Sequence, residues 1–104
     1  MYRMTILYGV SENPDAFQKY YREVHVPIAR KMKGLTDWKL SWIDPSDDGS
    51  TKYQLVAELY VDSRTDLEAV LASPEGIAAS EDLQNFVTGT VDFLMGYEER
   101  VELK

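Results

Sequence analysis

The chain has 104 residues, 44% of them hydrophobic and 28% charged, with no cysteine, one histidine and a formal net charge of −7. That length predicts one domain over residues 1–104 with a real but thin core. The lack of cysteine excludes disulfides and thiol nucleophiles, and the acidic balance makes nucleic acid an unfavourable partner.

Residues 2–9 alternate, with Tyr2, Met4, Ile6 and Tyr8 on one face and Arg3, Thr5 and Leu7 on the other, which predicts a strand. Asn13-Pro14 supplies an N-cap and a first-turn proline for a helix whose stripe reads Phe17, Tyr20, Tyr21, Val24, Ile28. Pro27 lacks an N–H and predicts a kink or break near His25–Val26, a short resumption to about Lys33, and a stop at Gly34. Such a break would free the His25 side chain from the regular stripe. Arg30, Lys31 and Lys33 at this helix end either complement the dipole or attract an anionic substrate.

Residues 36–43 alternate again, with Trp38, Leu40 and Trp42 sharing a face; 44–50 form a polar loop, expected to be the most mobile stretch. The third strand is predicted over 53–62. Ser63 and Asp66 resemble a capping box for a helix to Ala72, and Ser73-Pro74 restarts helix to about Phe86 or Val87. Residues 90–101 complete the series as a long strand with Val91, Phe93, Met95 and Tyr97 on one face.

The order β-α-β-β-α-β is that of an α+β, ferredoxin-like domain, a four-stranded antiparallel sheet with helices on one face. The second face of the third strand mixes Val56 and Tyr60 with Gln54 and Glu58. That mixture predicts a homodimer whose two sheets face each other around a small cavity; the alternative is a monomer with a half-wet sheet. No apolar run approaches the ~18 residues of a membrane span. Met1-Tyr2-Arg3-Met4 leads into a strand pattern without the apolar stretch of a signal peptide, so a cytoplasmic location and no membrane partner are expected.

His25 is the natural acid/base at neutral pH. The alternative is a histidine packed at the core edge and satisfied by a backbone carbonyl. Of the tyrosines, Tyr8, Tyr21 and Tyr60 are candidate substrate contacts, with core packing as the competing reading. Trp38 and Trp42 are candidate walls for a flat ligand, or pack under a helix. Asp82 and Asn85, three apart on one helix face, are candidates to orient His25 or the substrate; a carboxylate beside His25 would fix its tautomer and raise its basicity. One histidine and no cysteine make a structural zinc site implausible, so no metal is expected. The six glycines form no phosphate-binding pattern and there is no G-x-S-x-G. Nothing resembles a flavin, nicotinamide or haem site, so no cofactor is expected and a redox role would need a separate partner.

The run Phe17…Tyr20-Tyr21…His25-Val26-Pro27-Ile28-Ala29 resembles the first-helix signature of the EthD-like family, named for ethyl tert-butyl ether degradation. A second run, Ser73-Pro74-Glu75-Gly76 followed by Asp82-Leu83-Gln84-Asn85-Phe86, resembles that family's S-P-E-G and D-x-x-N-F. Lys33-Gly34 departs from the family's frequent Pro-Gly after the first helix, which alters turn stiffness and no proposed site residue. The resemblance implies a dimeric α+β barrel of ferredoxin-like subunits and a catabolic setting, with small organic substrates such as aromatic, lactone or ether-derived molecules. By position it carries the motif histidine onto His25, and the second motif onto Asp82, Asn85 and Phe86. The functional expectation is cofactor-free acid/base chemistry of decarboxylase, dehydratase or isomerase type, or a role beside an oxidative partner enzyme. The alternative is a non-catalytic dimer that binds or carries a small molecule.

Overall fold

A computed structural model describes residues 1–104. Strand β1 (Tyr2–Gly9) pairs antiparallel with β3 (Tyr53–Val61) on one side and with β4 (Val91–Tyr97) on the other, and β2 (Asp37–Trp42) pairs antiparallel with β3, giving the order β2-β3-β1-β4. The register follows the alternation in the sequence: Met4 lies opposite Leu59 and Met95, and Ile6 opposite Ala57 and Phe93. Tyr2, Met4, Ile6 and Tyr8 therefore share the helix-covered face with Leu55, Ala57, Leu59 and Val61, all of them buried.

This is a ferredoxin-like α+β sheet, and it is open. β2 and β4 lie at opposite ends of the strand order and do not pair, so the barrel implied by the family resemblance is corrected to an open four-stranded sheet. Closure of a sheet needs continuous pairing round a tilted ring of strands, and four strands with helices on one face do not supply it.

The first helical segment starts as its sequence dictates. Asn13 Oδ1 accepts from the Ala16 N–H at 3.1 Å, and Pro14 opens α1 (Pro14–Tyr20). The expected break at Pro27 is absent. Residues Tyr21–His25 form instead a π-helical turn, in which the Val26 N–H reaches the Tyr21 carbonyl, and α2 (Val26–Ala29) continues directly. The register slips by one residue just ahead of the proline that has no N–H to offer, so the chain widens where it would otherwise break. Gly34, at φ +100°, then turns the chain toward β2, as a helix stop requires.

Ser63 caps α3 (Arg64–Ala72) by accepting from the Asp66 N–H, and Ser73 caps α4 (Pro74–Asp82) by accepting from the Gly76 N–H. A Cβ on Gly76 would sit 2.1 Å from the Val70 carbonyl oxygen, so only glycine lets α4 approach α3 this closely. A 3-10 turn, Leu83–Asn85, follows α4. The 44–50 loop is cross-braced: the Asp48 carboxylate accepts from the Ser46 and Ser50 hydroxyls and the Ser50 N–H, which lowers its pKa to about 2.

Strand β4 is shorter than the alternation predicts, ending at Tyr97. The helices lie over β1 and β3 and leave it partly bare: Phe93 is 45% and Met95 52% exposed although both point to the helix side. On the opposite face Arg3 lies 3.7 Å from Glu58 and 3.6 Å from Glu98, and the Tyr60 hydroxyl donates to Glu98 at 2.8 Å.

Candidate active site

The π turn decides what the first helix buries. The buried line is Phe17, Tyr21, His25, Ala29, while Val24 is exposed and Ile28 half-buried. Widened i→i+5 bonding brings residues four apart into line, so His25 sits on the core stripe itself and is 5% exposed. The two residues expected to continue the stripe, Val24 and Ile28, turn outward. The His25 ring is held between Tyr21 and Phe86, each with its ring centroid 4.9 Å away.

The end of α4 brings Asp82 against this ring. His25 Nδ1 lies 2.9 Å from Asp82 Oδ2, and Asp82 Oδ1 accepts from the Tyr20 hydroxyl at 2.7 Å and from the Asn85 amide at 3.0 Å. Asp82 is itself 5% exposed. Burial by itself would raise its pKa, but the bonds from Asn85, Tyr20 and His25 outweigh that and hold it below the ordinary carboxylate value. A carboxylate only accepts, so Nδ1 carries the proton and Nε2 keeps its lone pair. Burial lowers the His25 pKa below its ordinary value, against the opposing pull of Asp82, so the ring is neutral at neutral pH.

His25 opens on a cavity of about 190 Å³ between the helices and the helix-covered face of the sheet. The space exists because small side chains (Ala29, Gly76 and Ala79) stand opposite Met4, Ile6 and Leu59. Half-exposed Phe93 and Met95 form its mouth beside β4. This pocket is internal to one chain and lies on the helix-covered side of the sheet, opposite the face expected to meet a second copy.

Tyr8, Tyr21 and Trp38 line this cavity with His25. Asp82, Asn85 and Phe86 stand behind the His25 ring rather than in the cavity wall. Trp42 is elsewhere: it packs edge-on to Tyr21 at 5.7 Å and carries the Arg22 guanidinium 4.9 Å above its ring. Tyr60 is on the opposite face of the sheet, bonded to Glu98, because its position in β3 has the other parity from Leu59. Sequence reasoning did not place Tyr20 on Asp82, nor the small residues Ala29, Gly76 and Ala79 at the cavity. Their signal was an i+3 pairing of Gly76 and Ala79 on one helix face. No group of three or more His, Cys, Asp or Glu side chains is arranged to hold a metal ion, and no helix is long and apolar enough to cross a membrane.

The EthD domain matches residues 11–90, a span that includes both sequence runs, His25 and Asp82. An uncharacterized 11.0 kDa protein in the thcB-thcC intergenic region of Rhodococcus erythropolis is 34% identical over 101 residues, 97% of this chain and 98% of that protein. Among solved structures, an ethyl tert-butyl ether d (EthD) family protein from Bacillus halodurans c-125 superposes with a TM-score of 0.87 at 31% identity, over 95% of this chain and 99% of the other. A dimeric protein of unknown function and ferredoxin-like fold from Bacteroides fragilis NCTC 9343 shares the fold, with a TM-score of 0.67 at 12% identity over 94% and 95% of the two chains.

Proposed function

This chain belongs to the EthD domain family, and we propose that it is an enzyme that moves a proton on a small, largely apolar organic molecule held in the cavity. The observation that carries this reading is the buried His25–Asp82 pair opening on an apolar pocket. Asp82 holds the proton on Nδ1, leaving Nε2 as the base, and no protein group bonds Nε2. A substrate proton passes to Nε2, the imidazolium so formed is stabilised by the Asp82 carboxylate, and the proton returns to the product. Apolar walls exclude water and strengthen the interaction of the reacting charges with the pair. Decarboxylation, dehydration and isomerisation all fit this single-base chemistry.

The test is turnover of a panel of aromatic acids, phenols and lactones followed by NMR. The reading expects at least one member to be converted, and His25→Ala to lose about 10²–10⁴-fold of that rate, the usual worth of a general base. Full activity in His25→Ala overturns it. A panel member that binds and is always returned unchanged points instead to a binding or carrier protein.

Pairing of two copies belongs to the same proposal. Thr5, Leu7, Val56 and Leu94 lie on a sheet face that no helix covers, and the ferredoxin-like Bacteroides fragilis protein is dimeric. Light scattering on the eluting protein checks it: a dimer mass is expected, and a monomer at micromolar concentration contradicts it.

A further inference from the structure

Three polar atoms meet beneath the first helix: the hydroxyls of Tyr8 and Tyr21 and the indole Nε1 of Trp38. Tyr8 comes from β1 and Trp38 from β2, and both turn their polar atoms toward the Tyr21 oxygen. The Tyr8 hydroxyl and Trp38 Nε1 are sealed in, and neither closes a hydrogen bond of standard geometry. The Tyr21 hydroxyl is not sealed: Tyr21 lines the cavity, and of the three polar atoms its oxygen alone keeps some free surface. A sealed N–H or O–H without an acceptor costs free energy, and native proteins keep few of them. The Tyr21 oxygen is the acceptor that both sealed donors face, and a small closing of the gap satisfies each of them. An indole N–H only donates, whereas a phenol oxygen accepts two hydrogen bonds and donates one. Once Tyr8 and Trp38 take both lone pairs, the proton of Tyr21 has no acceptor inside the cluster and turns to the cavity. Burial raises the Tyr21 pKa against the opposing pull of Trp38 and Tyr8, so that proton is present at neutral pH.

We propose that the Tyr21 hydroxyl is the cavity's single hydrogen-bond donor to its ligand, receiving a carbonyl-type oxygen next to the atom that gives its proton to His25. The two side chains stand four residues apart on one buried line, with ring centroids 4.9 Å apart. One stretch of helix thus offers the cavity an acceptor, His25 Nε2, beside a donor, the Tyr21 O–H. Around them Met4, Ile6, Leu59 and Leu83 give only apolar contact. The volume suits one substituted ring, since an apolar cavity of about 150 Å³ is enough to take benzene. This rests on the reading of the cavity as the substrate site and names the substrate class that reading leaves open: a ring-sized ketone, aldehyde or lactone with an acidic proton beside the carbonyl. His25 takes that proton, the C–H electron pair moves in to make the enolate, and the Tyr21 O–H meets the negative charge on the oxygen. Tyr8 and Trp38 act as positioning residues, fixing the direction of that O–H before the ligand arrives.

The probes are acetophenone and its planar isostere α-methylstyrene, which has a methylene in place of the oxygen. Binding is measured by NMR titration of the intact protein carrying ¹³C at tyrosine Cζ. The Tyr21 signal is identified by its loss in Tyr21→Phe or, should that variant not fold, by its proximity to the ring of the single histidine. We expect acetophenone to move the Tyr21 Cζ signal further downfield than α-methylstyrene does. The preference for acetophenone over α-methylstyrene should fall about five-fold in Tyr21→Phe, the worth of one ordinary hydrogen bond. Tyr21→Phe should also melt lower than the parent, because it takes away the acceptor of two sealed donors. A Tyr21 signal that responds alike to both probes, or an oxygen preference that survives in Tyr21→Phe, overturns the donor while leaving the cavity as a ligand site. An unchanged melting temperature in Tyr21→Phe overturns it as well, since Tyr8 and Trp38 would then not be using the Tyr21 oxygen. Failure of both probes to bind overturns the donor and the cavity reading together.

Discussion

His25 Nδ1 lies 2.9 Å from Asp82 Oδ2, across 57 residues of chain and between two different helices. The contact is made possible by the π turn, which puts His25 on the buried line, and by Gly76, which lets α4 settle against α3 and so brings its C-terminal end over the ring. Tyr20 and Asn85 then hold the free carboxylate oxygen. The acid/base pair is thus a product of two local backbone features.

Asp82→Asn should lower the His25 pKa further. Asp82 is the influence that raises it, by hydrogen bond and by charge, against the larger effect of burial. Following the single histidine by NMR across the acid range checks this. A titration moved upward in the variant would contradict the assignment of Asp82 as its electrostatic partner. Activity should fall by about 10–100-fold, as for other groups that orient a functional histidine.

Folding stability should decline as pH drops through about 6.5, the pKa of an unfolded histidine. The sign follows from the direction of the shift. His25 has a lowered pKa when folded, so below 6.5 the unfolded chain binds a proton that the native protein does not. Above that pH the group contributes no slope. Urea midpoints of the parent and of His25→Gln between pH 5 and 8 isolate the effect, since the variant should lack this part of the slope.

Tyr20→Phe removes one of the two bonds to Asp82 Oδ1. A hydrogen bond to a charged group is stronger than a neutral one, but Tyr20 is only half-buried, so a small loss of stability is expected. The Asp82 pKa should rise in the same variant, because Tyr20 is one of the groups holding it down. Chemical denaturation measures the first effect and carboxyl carbon NMR the second.

Gly76→Ala places a methyl group 2.1 Å from the Val70 carbonyl oxygen, against backbone that has no rotamer to escape into. Overpacking of this kind costs about 1–3 kcal/mol. The shift of α4 that relieves it should also lengthen the Asp82–His25 contact, so the His25 signals should change in a variant that touches neither residue. An unperturbed melting temperature would contradict the close approach.

Much of this was legible in the chain. Strict alternation in residues 2–9 and 53–61 carries strand, register and buried face at once, because a one-residue slip would expose Tyr8 and Leu55. The caps at Asn13, Ser63 and Ser73 are read from local side-chain chemistry alone. What escaped depends on tertiary context. The π turn is a response to Pro27 that a regular period does not contain, and it moved His25 from outside the stripe onto it. The parity of Tyr60 was visible in β3, but nothing local tells which face holds the cavity. Small residues that leave space, Ala29 and Ala79, look like ordinary helix formers until the facing strand is known. Trp42 shares a strand face with Trp38, yet lies four residues further along β2 and meets Tyr21 and Arg22 instead of the cavity.

Whether His25 is a neutral base facing the cavity is reported most directly by its own ring. Long-range nitrogen–proton NMR of the single histidine from pH 5 to 9, with and without acetophenone, gives the tautomer, the pKa and the ligand response together. A proton on Nδ1, a pKa below the ordinary histidine value, and an Nε2 signal that moves when acetophenone enters are expected. A ring that titrates at its ordinary value, and whose Nε2 ignores every ligand known to occupy the cavity, would contradict that role.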